Sequence, residues 1–350
     1  MFVELHMIQS FAPANLNRDD TGAPKDCEFG GYRRARISSQ SFKRAMRETF
    51  RDAELVPADQ RATRTKRVVD AIAGRLVDDG RDQEQAAAVV EALLGGLGID
   101  LDEKTGKTQY LLYLGAREID RFTDLCRQHW DALTAIVPGK NVSADSERRT
   151  GREAKKAGKA AVPAEIRKAA EAVLDGGRAV DLALFGRMLA DLPQGNIDAA
   201  TQVAHAISTN RVNMEFDFYT AVDDLRPEDT EGADMLGTVE FNAACFYRYL
   251  NVDLVQLSTN LGGDDEVARA ALNAFLRAAI TAVPSGKQHS MAAQNPPSLI
   301  MAVARDHGLW SLTNAFANPI TPGRDGDLVQ RSIAALDDYW GKLTAMYGTS

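Results

Sequence analysis

Residues 241–252 read FNAACFYRYLNV, and the reading of this short stretch decides what fold the chain can adopt. Phe246, Tyr247, Tyr249 and Val252 are strand formers, and the alternation predicts a strand with buried aromatics. Working toward the C-terminus, Asp265–Val283 carries Val267, Ala271, Leu272, Phe275, Ala279 and Ile280 on one side of an amphipathic helix. Ser298–Val303 is a short apolar strand, and Leu328–Met346 a last helix through Leu336, Trp340 and Leu343. Working toward the N-terminus, Val203, His205 and Ile207 alternate with Ala204, Ala206 and Ser208, which predicts a strand within 200–211. At the start, Val3, Leu5 and Met7 alternate against Glu4, His6 and Ile8, which predicts a strand over 2–9.

Between these strands, Ser38 or Ser39 stands where an N-cap belongs, ahead of a helix running to Asp52. Phe42, Ala45, Met46 and Phe50 form its buried stripe, while Lys43, Arg47 and Arg51 share another face beside Arg44. The order is strand, helix, strand, strand, helix, strand. That is the α+β order of a ferredoxin-like, or RNA-recognition-motif-like (RRM-like), sheet. A helical block from Pro57 to Ala199 interrupts it, with Val68, Val69, Ile72 and Leu76 at helical spacing. A second helix over 86–94 is expected to stop at Gly95-Gly96, and Pro163 to open a third with Gly176 past its end. A turn-rich hairpin with clustered aromatics, Phe216, Phe218 and Tyr219, interrupts the order again.

At 350 residues with 45% apolar content, the chain can bury a sizeable core. No apolar run is long enough to span a membrane, and Cys27, Cys126 and Cys245 show no metal or disulfide spacing. The N-terminus lacks a secretory pattern, so a reducing cytoplasm is the expected location. Net charge is −8, which argues against indiscriminate binding to polyanions.

Against that total, Gly31–Arg51 holds seven Lys or Arg and one Glu, a local charge of +6. Gly30-Gly31 allows a tight turn upstream, and Arg33, Arg34 and Arg36 add charge ahead of the helix. Ser38, Ser39 and Gln40 gather hydroxyls, an amide and free N–H groups at the positive helix end. A phosphodiester chain suits such a track, because backbone contacts need charge and donors but no base specificity. The segment Lys140–Lys159, with seven bases and three acids, reads as a solvated loop able to brush nucleic acid.

Catalysis finds little support. PSGKQHS (284–290) lacks the first Gly and the hydroxyl residue of a P-loop, so Lys287 is at most a phosphate contact. The five histidines show no metal spacing, and no cofactor or metal is expected. Asp19, Asp20, Asp26 and Glu28 allow an alternative, a metal-dependent RNA endonuclease using Asp19, Asp20 or Asp26. The plainer role for these acids is to orient Arg18 and Lys25 or to meet another subunit's bases. Phe246, Tyr247 and Tyr249 stand where RNA-binding sheets keep stacking aromatics, but without the glycine–aromatic consensus, so core packing is the reading for alternate members.

The blocks NRDD-x4-KD-x2-FGGYRRARISSQSFKRAMR, GRM (186–188), AHAIST-x7-DFYTAVDDL, FYRY, NLGG and VPSGKQ together resemble the CasC-type backbone subunit of type I-E Cascade. This CRISPR-associated family implies an RRM-like palm (1–56, 200–211, 241–350), an inserted helical fingers domain (57–199) and a β-hairpin thumb (212–240). It implies a subunit without chemistry of its own, whose copies polymerise along the CRISPR RNA with other Cascade subunits. The guide's phosphate backbone is held, nucleotides are displaced at intervals by the thumb, and target DNA pairs with the rest. Carried onto this chain, the resemblance implies that Arg18, Lys25, Ser38, Gln40, Lys43, Arg44 and Arg47 contact guide phosphates and sugars. It also implies that Met188, Tyr219 and Val222 wedge beside the displaced nucleotide, and that Lys287 adds a backbone contact. Phe218-Tyr219 stands where the family often has a Trp-Phe pair.

Overall fold

The structure, a computed structural model, describes residues 1–102, 105–137, 161–220, 236–324 and 327–348. Val222 and the basic segment 140–159 lie outside the described residues. The chain clusters into two compact units, one of residues 1–55, 201–254 and 272–350, the other of 56–200 and 255–271.

The first unit is organised by one long antiparallel ladder. Strand β1 (Phe2–Ala14) pairs with β9 (Leu236–Asp253), from Phe2 opposite Asp253 to Phe11 opposite Ala244, with a bulge before Ala14 meets Asn242. β10 (Leu299–Arg305) lies on the far side of β1. On the other side of β9 come β7 (Ala206–Ser208), β3 (Tyr32–Ile37) and β2 (Asp26–Phe29). The four strands expected from the sequence therefore stand in the spatial order 299–305, 2–14, 236–253, 206–208.

Alternation divides the side chains of this ladder between two faces. Leu5 and Met7 lie beside Leu250 and Arg248 on the face covered by α1 (Ser39–Asp52), whose Phe42 ring takes the Arg248 guanidinium at 4.1 Å. His6 and Ile8 lie beside Tyr249 and Tyr247 on the other face. That face packs under Leu312 and Phe316 and under Leu336 of the last helix, Leu328–Tyr347. Phe246, Tyr247 and Tyr249 are all buried, so the whole trio is core, with Phe246 edge-on to Phe11 at 5.9 Å.

Two departures from the expected pattern matter for the site. The predicted 200–211 strand is two short ones, β6 (Thr201–Val203) and β7, separated at Ala204-His205. The stretch before α1, expected to be loop and turn, is the β2–β3 hairpin, with Gly30 and Gly31 at φ +62° and +79°. A Cβ on Gly30 would sit 1.9 Å from the Ala317 carbonyl oxygen, so only glycine allows this approach.

Charged groups also lie inside this unit. Glu4, fully buried, accepts from Arg305 Nε (2.7 Å), the Tyr249 hydroxyl (2.6 Å) and the Trp310 N–H (2.9 Å). His6 Nδ1 is 2.8 Å from the Tyr247 hydroxyl, which accepts from Leu312 N–H. Between them these contacts tie the chain after β10 back onto β1.

The second unit packs α2 (Val68–Asp78), α3 (Gln83–Leu97), α4 (Ala116–Gln128), α5 (Trp130–Ile136) and α6 (Ala164–Val173) around Ile72, Leu76, Val89, Leu93 and Phe122. It also contains a two-stranded ladder, β4 (Ala62–Thr65) with β5 (Leu112–Gly115), that the sequence reading treated as helix and connector. Helix α3 does not stop at Gly95-Gly96 but at Gly98, in the left-handed region. Gly96 lies inside the helix against Val162: a Cβ there would lie 2.5 Å from a Val162 methyl, so glycine is the residue that fits. Residues 255–271 cluster here, although the sequence reading grouped them with 241–350. Among the described residues, no helix is long and apolar enough to cross a membrane.

His6 makes the stability of the first unit pH-dependent. Burial, with Arg305 second, lowers its pKa from 6.5 to about 4. Between those values the unfolded chain binds a proton that the folded chain refuses, so stability is present above pH 6.5 and lost as pH falls toward 4. Urea unfolding free energies are expected to decline across that window, and His6→Gln to remove part of the decline.

Candidate nucleic-acid interface

The candidate site grows from the loop joining β1 to β2, which is tied by its own side chains. Asp19 Oδ1 accepts from Thr21 N–H (2.9 Å), Thr21 Oγ1 (2.8 Å) and Ala23 N–H (3.0 Å). The Thr21 hydroxyl chiefly holds the Asp19 carboxyl below its usual range. Asn15 Nδ2 bridges the carbonyls of Gly22 and Glu240, both at 2.9 Å. Lys25 N–H donates to Asn17 O (2.8 Å), and Asn17 Oδ1 accepts from Ser38 N–H (2.8 Å), which fastens the loop to the start of α1.

Helix α1 is capped by Ser38, whose hydroxyl accepts from Ser41 N–H at 3.3 Å. Ser38 is buried with its hydroxyl oxygen accepting in the cap, while Gln40 and Arg44 are exposed and Lys43 and Arg47 half-buried. Arg44 pairs with Glu48 at 2.8 Å, an exposed pair of little energetic weight. Desolvation lowers the pKa of Lys43.

A cleft of about 560 Å³ opens between this loop and α1, lined by Arg18, Asp19, Asp20, Ser41, Arg44, Glu48, Ser285 and Gly286. Gly286 explains how the 284–287 segment reaches it. A Cβ there would lie 2.3 Å from Leu16 O and 2.6 Å from Asn15 O, so glycine permits backbone-to-backbone approach. Lys287 follows in the left-handed region (φ +52°). The structure thus brings Arg18, Arg44 and the helix start to one cleft, with Lys287 next to its wall.

The three arginines that add charge ahead of the helix take three different partners. Arg34 is fully buried and donates to the carbonyls of Ser208 (3.0 Å), Thr209 (2.8 Å), Phe316 (2.8 Å) and Ala317 (3.1 Å). It staples β3 to the chain after β7 and to the turn near Phe316, so it is a structural cation. Arg33 pairs with Asp26. Arg36 keeps its charge without an ion pair among the described residues. Two of the three acids of the endonuclease alternative have other partners: Asp19 orders its loop and Asp26 meets Arg33, rather than orienting Arg18 and Lys25, while Asp20 lines the cleft. Among the described residues, no three His, Cys, Asp or Glu side chains converge as a metal cage.

β8 (Glu215–Thr220) pairs with the leading end of β9, Glu215 opposite Phe241 and Tyr219 opposite Gly237. Phe216, Phe218 and Tyr219 are all exposed. A Cβ on Gly237 would lie 2.2 Å from the Tyr219 ring, so this ring lies over the glycine while Phe216 and Phe218 share the other face.

Met188 belongs to the second unit and is 83% exposed, between Arg187 at 5% and Leu189 at 2%. Arg187 is the anchor. Its Nη1 donates to both Glu118 oxygens (2.7 and 2.9 Å), and its backbone pairs with Ile197. Glu118 also accepts from Gly115 and Gly176 N–H, at 2.8 and 2.7 Å. The pair escaped the sequence reading because Glu118 and Arg187 stand in separate segments, with no pattern linking them.

Residues 3–350 match the family described as CT1975-like protein (Cas_CT1975), and the chain belongs to that CRISPR-associated family. It is also similar to a solved chain described as "CRISPR RNA-guided surveillance complex, pre-nicking", at 35% identity and TM-score 0.85, covering 100% of this chain and 90% of that one. A second, "CRISPR RNA-guided surveillance complex", aligns at 29% identity and TM-score 0.73, covering 100% and 89%. No curated protein sequence matches the chain.

Arg187→Ala leaves the Glu118 carboxylate buried without its cation, which costs about 3–5 kcal/mol. Chemical denaturation is expected to show that loss in a transition assigned to the second unit, while Met188→Ala, an exposed change, leaves the midpoint unmoved within about 0.5 kcal/mol.

Proposed function

We propose that this chain is a CasC-type backbone subunit of a type I-E Cascade, polymerising along a CRISPR RNA as a non-catalytic scaffold in the cytoplasm. The observation that carries this reading is the polar cleft where the loop 16–22, the start of α1 and Gly286 meet, into which Arg18 and Arg44 bring cations beside Asp19, Asp20 and Glu48. Membership of the CT1975-like family and the likeness to chains of RNA-guided surveillance complexes support it. In this reading the sheet unit is an RRM-like palm, the helical unit the fingers, and β8 with the start of β9 the thumb. The spatial strand order 299–305, 2–14, 236–253, 206–208 supports the palm assignment.

Arg18, Lys25, Gln40, Lys43, Arg44, Arg47 and Lys287 hold guide phosphates and sugars, and Ser38 shapes the helix end that faces them. Such a grip is indifferent to sequence, as a scaffold for any guide requires. Met188, Tyr219 and Val222 wedge beside a displaced nucleotide. Unstacking a base costs a few kcal/mol, and stacking contacts worth about 1–3 kcal/mol per base offset much of it. Target DNA then pairs with the exposed guide bases, so specificity comes from base pairing. Other copies and other Cascade subunits complete the filament.

The endonuclease alternative has less behind it, since Asp19 and Asp26 are held by loop and hairpin contacts. Incubation of assembled protein with complementary RNA and Mg²⁺ is expected to leave the RNA intact. Cleavage that Asp19→Ala, Asp20→Ala or Asp26→Ala abolished would restore the nuclease reading. Reversing two charges with Lys43→Glu and Arg47→Glu is expected to weaken guide-RNA binding about a hundredfold or more at moderate salt. A well-folded double variant that binds like the wild type would sink the phosphate-track assignment.

A further inference from the structure

We infer that Lys25, Arg36 and His205 form a second phosphodiester-binding subsite for the guide RNA, beside the track on α1. The inference rests on the RNA-binding reading above and adds Arg36 and His205 to it.

The subsite is assembled by three separate segments of chain. Arg36 N–H donates to the Lys25 carbonyl at 2.9 Å, making the two cross-strand neighbours at the open end of the β2–β3 hairpin. Arg36 Nε donates to Asp26 O at 3.1 Å, and its Nη1 lies 3.2 Å from His205 Nδ1. His205 is brought there by the break between β6 and β7, since an unbroken strand would continue the ladder through that position.

The chemistry of the contact fixes the proton. A guanidinium only donates, so Nδ1 accepts, the ring is neutral and its proton is on Nε2. The imidazole is exposed. Burial, then Arg36, then Lys25 lower its pKa from the ordinary value, and these two cations are the charged groups facing it. The nearby Asp26 carboxylate is engaged by Arg33 and does not neutralise them. Among the described residues, neither Lys25 nor Arg36 has an ion pair, and Arg36 Nη2 has no hydrogen-bond partner. Two held cations and an N–H donor, without a carboxylate, raise the local potential and await an anion. A guanidinium with a free edge suits a phosphate, which accepts from it and from the imidazole together. The subsite also lies two residues ahead of Ser38, so one RNA strand can run from it onto the α1 start.

The discriminating measurement is the salt dependence of guide-RNA binding by the full chain. Arg36→Gln is expected to lower the slope of log K against log salt by about 0.7, the contribution of one phosphate contact on a single strand. Arg36→Lys, which keeps the charge, is expected to retain the wild-type slope. In the wild type, the His205 imidazole followed by NMR is expected to titrate at higher pH once RNA is bound, because the phosphate opposes Arg36 and Lys25. A merely structural Arg36–His205 strut would change neither quantity. If wild-type protein fails to bind RNA at all, the scaffold reading falls and this subsite with it. If wild type binds, yet Arg36→Gln keeps the full slope and RNA leaves His205 unmoved, the subsite alone falls. Should Arg36→Gln fail to fold, the His205 titration in wild-type protein decides the matter.

Discussion

The pairing of β1 with β9 is the constraint on which the first unit depends. It joins residues near the start of the chain to residues more than two hundred positions later, from Phe2 with Asp253 onward. Closing so long a loop has an entropic cost that grows only slowly with length. The ladder offsets it by burying both faces. Met7, Arg248 and Phe42 meet on one side, and His6, Tyr247 and Phe316 on the other. Every other strand of this sheet takes its place from that pair, directly or through at most two neighbours.

Buried charge then decides where the irregular segments go. Glu4 draws Arg305 and the Trp310 backbone onto the start of β1, and the Arg305 guanidinium stacks on the Trp310 ring at 3.7 Å. Arg34 collects four carbonyls that no strand neighbour satisfies. Arg248 is buried over Phe42 and donates to Gln9 Oε1 and Ala279 O, both at 2.6 Å. A buried polar group is costly until its partners are all in place. Such groups therefore specify one arrangement of loops where apolar packing alone would accept several. The second unit uses the same device with Glu118 and Arg187, so an exposed methionine is flanked by two fixed neighbours.

The division of basic residues follows from this. Of the arginines in YRRARI, Arg34 serves folding, Arg33 closes the hairpin, and Arg36 remains available. In the proposed scaffold, Arg36 faces RNA without an ion pair among the described residues, whereas Arg44 also carries a pair with Glu48. In that reading the net acidic charge of the rest of the chain disfavours other polyanions, because surface potential is local at physiological salt.

What the sequence determined alone was the set of strongly periodic elements. The 39–52 helix with its Phe42, Ala45, Met46 and Phe50 stripe, the 241–252 strand and the last helix were all legible, because burial of one face imposes a period on the residues. The cation cluster and the Gly30-Gly31 turn were legible for the same local reason. The hairpin around that turn was not, since YRRARI places charge on both faces, and a buried arginine looks like an exposed one in a sequence. The break at Ala204-His205, the continuation of α3 through Gly96, and the approach of Gly286 to Leu16 were decided only by tertiary structure. The glycines at 96 and 286 each answer to a side chain or backbone distant in sequence, Val162 or Leu16, coming within contact range. Local periodicity carries no record of such partners, because their effect exists only once the chain has closed.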